Sequence, residues 1–160
     1  MPGVSFVFVG KMKERHFEEA FAEYVKRIGG YAKCEVREIA EQRLGERASD
    51  KEIAAALARE AQEIEKAIPK GACVCAMCVE GESCSSEELA ARMKSLDERG
   101  VGKVCFLVGG SYGLDAELKK RADWRISMSK MTFPHHLARV MLAEQVYRAF
   151  TINAGKRYHK

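Results

Sequence analysis

A chain of 160 residues, 47% hydrophobic and 31% charged with only three prolines, suits one globular domain. At this size it can bury roughly 70% of its unfolded surface, so it requires neither disulfide nor metal staples. Its formal net charge of +4 permits an anionic partner without demanding one, and no apolar run approaches the length of a membrane span.

The first apolar run, Val4 to Val9, reads as a β-strand. It is short, no basic stretch precedes it, and it leads directly into Lys11, Lys13 and Arg15. No targeting segment is therefore expected, and the cytoplasm is the expected compartment. From Arg15 to Ile28 the apolar residues Phe17, Ala20, Phe21, Tyr24, Val25 and Ile28 fall at helical spacing, and Gly29–Gly30 ends the run. Lys33–Ile39 alternates like a second strand. Ser49, with Glu52 three residues on, forms a capping box for a helix reaching about Lys66, before Pro69.

Ala72–Val79 is the third expected strand and holds Cys73, Cys75 and Cys78. A Cys-x-x-Cys spacing can mark zinc or redox chemistry, but no second Cys/His pair stands at ligand distance. Cysteines inside apolar runs also serve as small hydrophobes. Ser85 or Ser86 caps a helix carrying Leu89, Ala90, Met93 and Leu96. Val104–Val108 is a fourth strand, Asp115–Arg121 a short helix, Trp124–Met128 a fifth strand, and Pro134 opens a long helix from about His135 to Ile152. Strands apolar on both faces that alternate with helices predict an α/β fold, a parallel sheet flanked by helices in a single domain over 1–160.

Two loops stand out. Val108–Gly109–Gly110–Ser111–Tyr112–Gly113 follows a strand, where open α/β sheets bind ligands and where glycine admits close backbone approach. The run lacks the dinucleotide and P-loop patterns, so a plain tight turn is an equal reading. Met128–Ser129–Lys130–Met131–Thr132–Phe133–Pro134 also follows a strand, and the two loops at one sheet edge could clasp a flat ring. The last helix is apolar around nearly its whole circumference (Leu137, Val140, Met141, Leu142, Val146, Tyr147, Phe150), which predicts burial against the sheet and against a second subunit. Glu144 and Arg148 share one stripe of it, as a self-neutralising i,i+4 pair or as part of a site, while Arg139 points elsewhere, near His135 and His136. The closing Lys156–Arg157–Tyr158–His159–Lys160 is either solvated charge or a segment suited to RNA.

Taken in order, Leu107–Leu114, Ser127–His135, Arg139–Val140, Glu144–Ala149 and Tyr158–Lys160, with Val9–Gly10–Lys11 near the start, resemble the RlmH family. These are bacterial methyltransferases of the SPOUT class acting on large-subunit ribosomal RNA. The resemblance implies a C-terminal trefoil knot, a homodimer, and S-adenosylmethionine held by Met77, Gly109, Gly110 and Met128, Ser129, Lys130, Met131, Thr132 and Phe133. It implies methylation of N3 of a pseudouridine within the ribosome, without a metal. Glu144 and His159 are then candidate bases. Arg139 or Arg148 could hold phosphate or stabilise the imide anion, and Lys156, Arg157, Tyr158 and Lys160 would meet RNA, the tail closing over the partner's cofactor edge. A non-catalytic RNA-binding module is the competing reading, but it leaves the two-loop edge unused.

Overall fold

A computed structural model describes residues 1–160 as five strands alternating with five helices. These are β1 (Gly3–Val9), α1 (Arg15–Ile28), β2 (Cys34–Ile39), α2 (Asp50–Ala67), β3 (Cys73–Ser83), α3 (Ser86–Glu98), β4 (Lys103–Val108), α4 (Ala116–Arg121), β5 (Trp124–Ser127) and α5 (His135–Asn153). The sheet is parallel throughout, with strand order β2-β1-β4-β3-β5.

Alternation along the central strands sends side chains to two separate cores. Val4, Phe6 and Phe8 of β1 and Val104, Phe106 and Val108 of β4 face one side, where they meet Leu89 and Met93 of α3 and Val146 and Phe150 of α5. Phe6 stacks on Phe8 and Phe106 at centroid separations of 5.6 and 5.8 Å. Each such ring, fully withdrawn from water, contributes about 1.5–3 kcal/mol. Val7, Val9, Cys105 and Leu107 face the other side, against Ala61 and Ile64 of α2 and Leu118 of α4. α5 packs on both α1 and α3, with one face buried in the same core and Val140 and Met141 left half-exposed on another. No helix is long and apolar enough to cross a membrane.

Local signals account for most helix ends. The expected box at Ser49 forms, its hydroxyl accepting from the Glu52 N–H, and Ser85 with Glu88 builds a second. The third strand departs from expectation by continuing past Val79 to Ser83. Its pairing with β5 shifts register between Met77 and Glu82, so Cys78 to Gly81 bulge out before pairing resumes. At Gly81 a Cβ would sit 2.7 Å from the Ile126 backbone carbon, so only glycine lets the two strands approach there.

Candidate active site

The carboxyl ends of β3, β4 and β5 open into a cavity of about 320 Å³, within the range of small-molecule sites. One wall is the glycine turn. The N–H of Gly113 donates to the Gly110 carbonyl at 3.1 Å, and Gly113 takes φ +80°. At Gly109 a Cβ would lie 2.3 Å from the Gly113 carbonyl group, so this turn cannot close around any side chain. Behind Gly110 stands Glu41, whose Oε1 accepts the Ser111 N–H at 3.2 Å. That contact spans 70 residues, and nothing in the local sequence marks it.

The opposite wall is the loop after β5. The Ser127 hydroxyl donates to the Ser129 carbonyl at 2.9 Å and the Met131 N–H to the Ser129 hydroxyl at 3.0 Å, so the loop is shaped before any ligand arrives. Met77, Gly109, Gly110, Met128, Ser129, Met131, Thr132 and Phe133 all line the cavity, whereas Lys130 is exposed and outside its wall. Sequence reasoning did not assign Tyr112, Leu114, Ile126, His135 or Leu142 to the site, yet they line it too. His135 is half-buried at the first turn of α5, and burial, ahead of the neighbouring His136 and Arg139, holds its imidazole below the ordinary 6.5. It is thereby biased to the neutral form.

A second cavity adjoins the first through Met77, Ile126, Ser127, Met128 and Leu142, and Glu144 lies on its wall. Glu144 Oε1 accepts from Arg148 at 2.5 Å and from the Tyr158 hydroxyl at 3.0 Å, and its Oε2 accepts from Gln145 at 2.9 Å. Burial and that carboxylate push the Tyr158 phenol up to about 12. Arg148 Nη1 lies 3.1 Å from His159 Nδ1, and His159 Nε2 lies 2.7 Å from Glu87. A guanidinium can only donate, so Nδ1 is the acceptor and Nε2–H donates to Glu87. The tail, expected to be too polar to pack and to reach across a dimer, here folds back on its own chain. Tyr158 stacks edge-on against Tyr147 at 4.8 Å, with the Arg148 guanidinium over its ring at 4.7 Å.

Residues 3–159 match the family described as predicted SPOUT methyltransferases. Two relatives named ribosomal RNA large subunit methyltransferase H, from Bifidobacterium adolescentis and Bacillus thuringiensis, are 45% and 43% identical, each alignment covering 98% of this chain and 99% of the relative. The chain belongs to the SPOUT methyltransferase family. Its fold is also similar to that of a tRNA (m1G37) methyltransferase from Aquifex aeolicus, with a TM-score of 0.52 at 16% identity, covering 92% of this chain and 70% of that one.

SPOUT methyltransferases use S-adenosylmethionine as methyl donor. The cavity suits that molecule: apolar walls from Met77, Leu114, Ile126 and Leu142 fit a flat heterocycle, and the turn whose Gly109 tolerates no Cβ brings bare backbone to the ligand.

One other expectation meets a different arrangement in this SPOUT chain. Arg139, considered for phosphate or anion binding, is fully buried. Its Nη2 donates to the carbonyls of Val9 and Gly10 at 2.6 and 2.9 Å, and Nη1 to Glu38 at 3.3 Å. It is spent on the end of β1, which leaves Arg148 as the more accessible of the two arginines. The six cysteines are all free, no three His, Cys, Asp or Glu side chains assemble as a metal-binding group, and burial pushes the Cys105 thiol up to about 11. Such a thiol is inert packing.

Proposed function

We propose that the protein methylates N3 of a pseudouridine in the 23S ribosomal RNA of the large subunit, from S-adenosylmethionine, as a cytoplasmic homodimer in which residues 1–160 act as one knotted SPOUT domain. The observation that carries this reading is the donor cavity's rim. Val79, Tyr112 and Met131 are 60%, 50% and 73% exposed at its mouth and are three of the five large apolar side chains the chain leaves in water. Folding gains nothing from them there, whereas a stacked base or a second subunit would. The relatives' names supply the RNA class.

S-adenosylmethionine supplies an electrophilic methyl group. The protein's work is to align the nucleotide and accept the N3 imide proton. Glu144 and His159 are the proposed acceptors. Both are fully engaged in the free chain, Glu144 with Arg148, Tyr158 and Gln145, and His159 with Arg148 and Glu87. RNA that draws the tail away would remove Tyr158 from Glu144 and His159 from Arg148, leaving Glu144 paired with Arg148 and Gln145. Arg148, relieved of its His159 contact, would then hold Glu144 at the site and face the developing imide anion. Lys156, Arg157 and Lys160 are exposed and form no ion pair, which suits phosphate contacts. Dimerisation is supported by Tyr24, Val140 and Met141, half-exposed apolar residues around the second cavity.

The test is mass spectrometry of rRNA from a strain lacking the gene, with native protein and S-adenosylmethionine added back. One methyl group should be missing at a pseudouridine and should return. An unchanged methylation inventory would refute the reading. Sedimentation at micromolar concentration should show a species of twice 17.9 kDa.

A further inference from the structure

A third cavity, of about 710 Å³, lies beside the donor cavity and is assigned no role by the reading above. Loops from the carboxyl ends of β1 and β2 form it, with Ser111 of the glycine turn in its wall and His135 at the start of α5 shared with the donor cavity. Its character is the reverse of the donor pocket: open, polar and cationic. Lys11, Lys13 and Arg43 line it, all exposed and none in an ion pair or hydrogen bond with another residue.

Its two acids are turned to other partners: Glu14 is bound to His136 at 2.6 Å, and Glu41 accepts the Ser111 N–H. Three cations against two acids leave the cleft net positive. They are also held on a stiff frame. Met12 is buried between the two lysines, its N–H donates to Glu38 at 2.9 Å, and Arg139 grips the Gly10 carbonyl. On the other loop the Gln42 N–H donates to Glu60 at 2.8 Å. A loop with its apolar residue turned in, its backbone anchored and its lysines turned out fixes where the side chains start, which a merely solvating surface does not require. A regularly spaced anion is then met with only side-chain ordering left to offset.

We propose that this cleft seats the sugar-phosphate backbone of the RNA strand flanking the target nucleotide, with Lys11, Lys13 and Arg43 contacting successive phosphates. This rests on the RNA-methyltransferase reading and deepens it: the cleft fixes the strand, and the wall shared through His135 delivers the flanking base toward the donor cavity.

The experiment uses full-length dimer carrying Lys11→Ala, Lys13→Ala and Arg43→Ala together, with ribosomes and a protein-free rRNA stem-loop that lack the methyl group. Because each phosphate contact adds about one to the salt-dependence slope, the triple variant should lose about two to three from it, and KM for RNA should rise on the order of 10- to 100-fold. S-adenosylmethionine affinity by calorimetry and melting temperature should stay at native values, and Lys11→Arg with Lys13→Arg should restore RNA affinity. A variant with native slope and KM overturns the cleft while native methylation leaves the broader reading standing. Failure of the native protein to methylate RNA overturns both. Weakened binding to ribosomes with unchanged binding to the bare stem-loop would make an acidic ribosomal protein the occupant and refute the RNA assignment.

Discussion

Arg139 donates from one nitrogen, Nη2, to the carbonyl of Gly10 at 2.9 Å, across 129 residues of chain, from a position with no solvent exposure. The same nitrogen also holds Val9, and the Phe8 ring lies 4.7 Å from the guanidinium carbon. Arg139→Ala would leave two buried carbonyls without a donor, so we expect a loss of about 3–5 kcal/mol in urea unfolding. Arg139→Lys should recover only part of this, because an ammonium cannot reproduce the planar fork. An alanine variant of native stability that has lost methylation would instead place Arg139 on the RNA.

Gly109 and Gly113 test different properties of one turn. Gly109→Ala puts a Cβ 2.3 Å from the Gly113 carbonyl, so the turn must open, and S-adenosylmethionine affinity should fall at least about tenfold because contacts need near-native placement. Gly113→Ala meets nothing within 4 Å and faces only its φ of +80°, costing about 1–2 kcal/mol with the cavity spared. Calorimetry and thermal melting of the pair separate the effects. Equal cofactor affinities would remove the turn from the site.

Tyr158→Phe keeps the ring against Tyr147 and removes only the hydrogen bond to Glu144. The expected stability cost is about 1 kcal/mol, with faster hydrogen exchange and proteolysis across Lys156–Lys160. Tail mobility indistinguishable from native would show that the ring, not the hydroxyl, holds the tail down.

Acid should act in two windows. The hydrogen bond from His136, first among its causes, holds the Glu14 carboxyl below the ordinary 4.5. Since the folded form binds this proton less readily than the unfolded chain, the contribution is present above about pH 4.5 and lost as pH falls through the folded value. His135, held below 6.5 by burial, acts earlier: the unfolded chain takes up its proton first, so stability declines as pH falls below about 6.5 and levels off beneath the folded value. Melting curves of Glu14→Gln and His135→Gln against pH should each flatten one window. A Glu14→Gln curve parallel to native below pH 4.5 would mean the contact is absent in solution.

How much of this was readable beforehand depends on the range of each cause. α1 begins and ends where its apolar spacing and Gly29 place it, and the Ser49–Glu52 box lies within one turn of backbone. The donor loops showed themselves through glycine and through matching motifs. The extension of β3 did not, because Glu80 to Ser83 is polar and is made a strand only by pairing with β5 beyond a bulge. Glu41 and the buried Arg139 depend on partners 70 and about 130 residues away. The docked tail combines a short basic peptide with stacking on Tyr147 that composition alone does not foretell.

The position of α5 has a consequence for the order of folding. The Val4–Phe6–Phe8 face of β1 is covered in part by Phe21 of the neighbouring α1, and is closed only when Ala143, Val146 and Phe150, far along the chain, pack beside it. Contacts this distant in sequence must await loop closure before they contribute, so this face of the sheet is completed in a late, cooperative step rather than strand by strand.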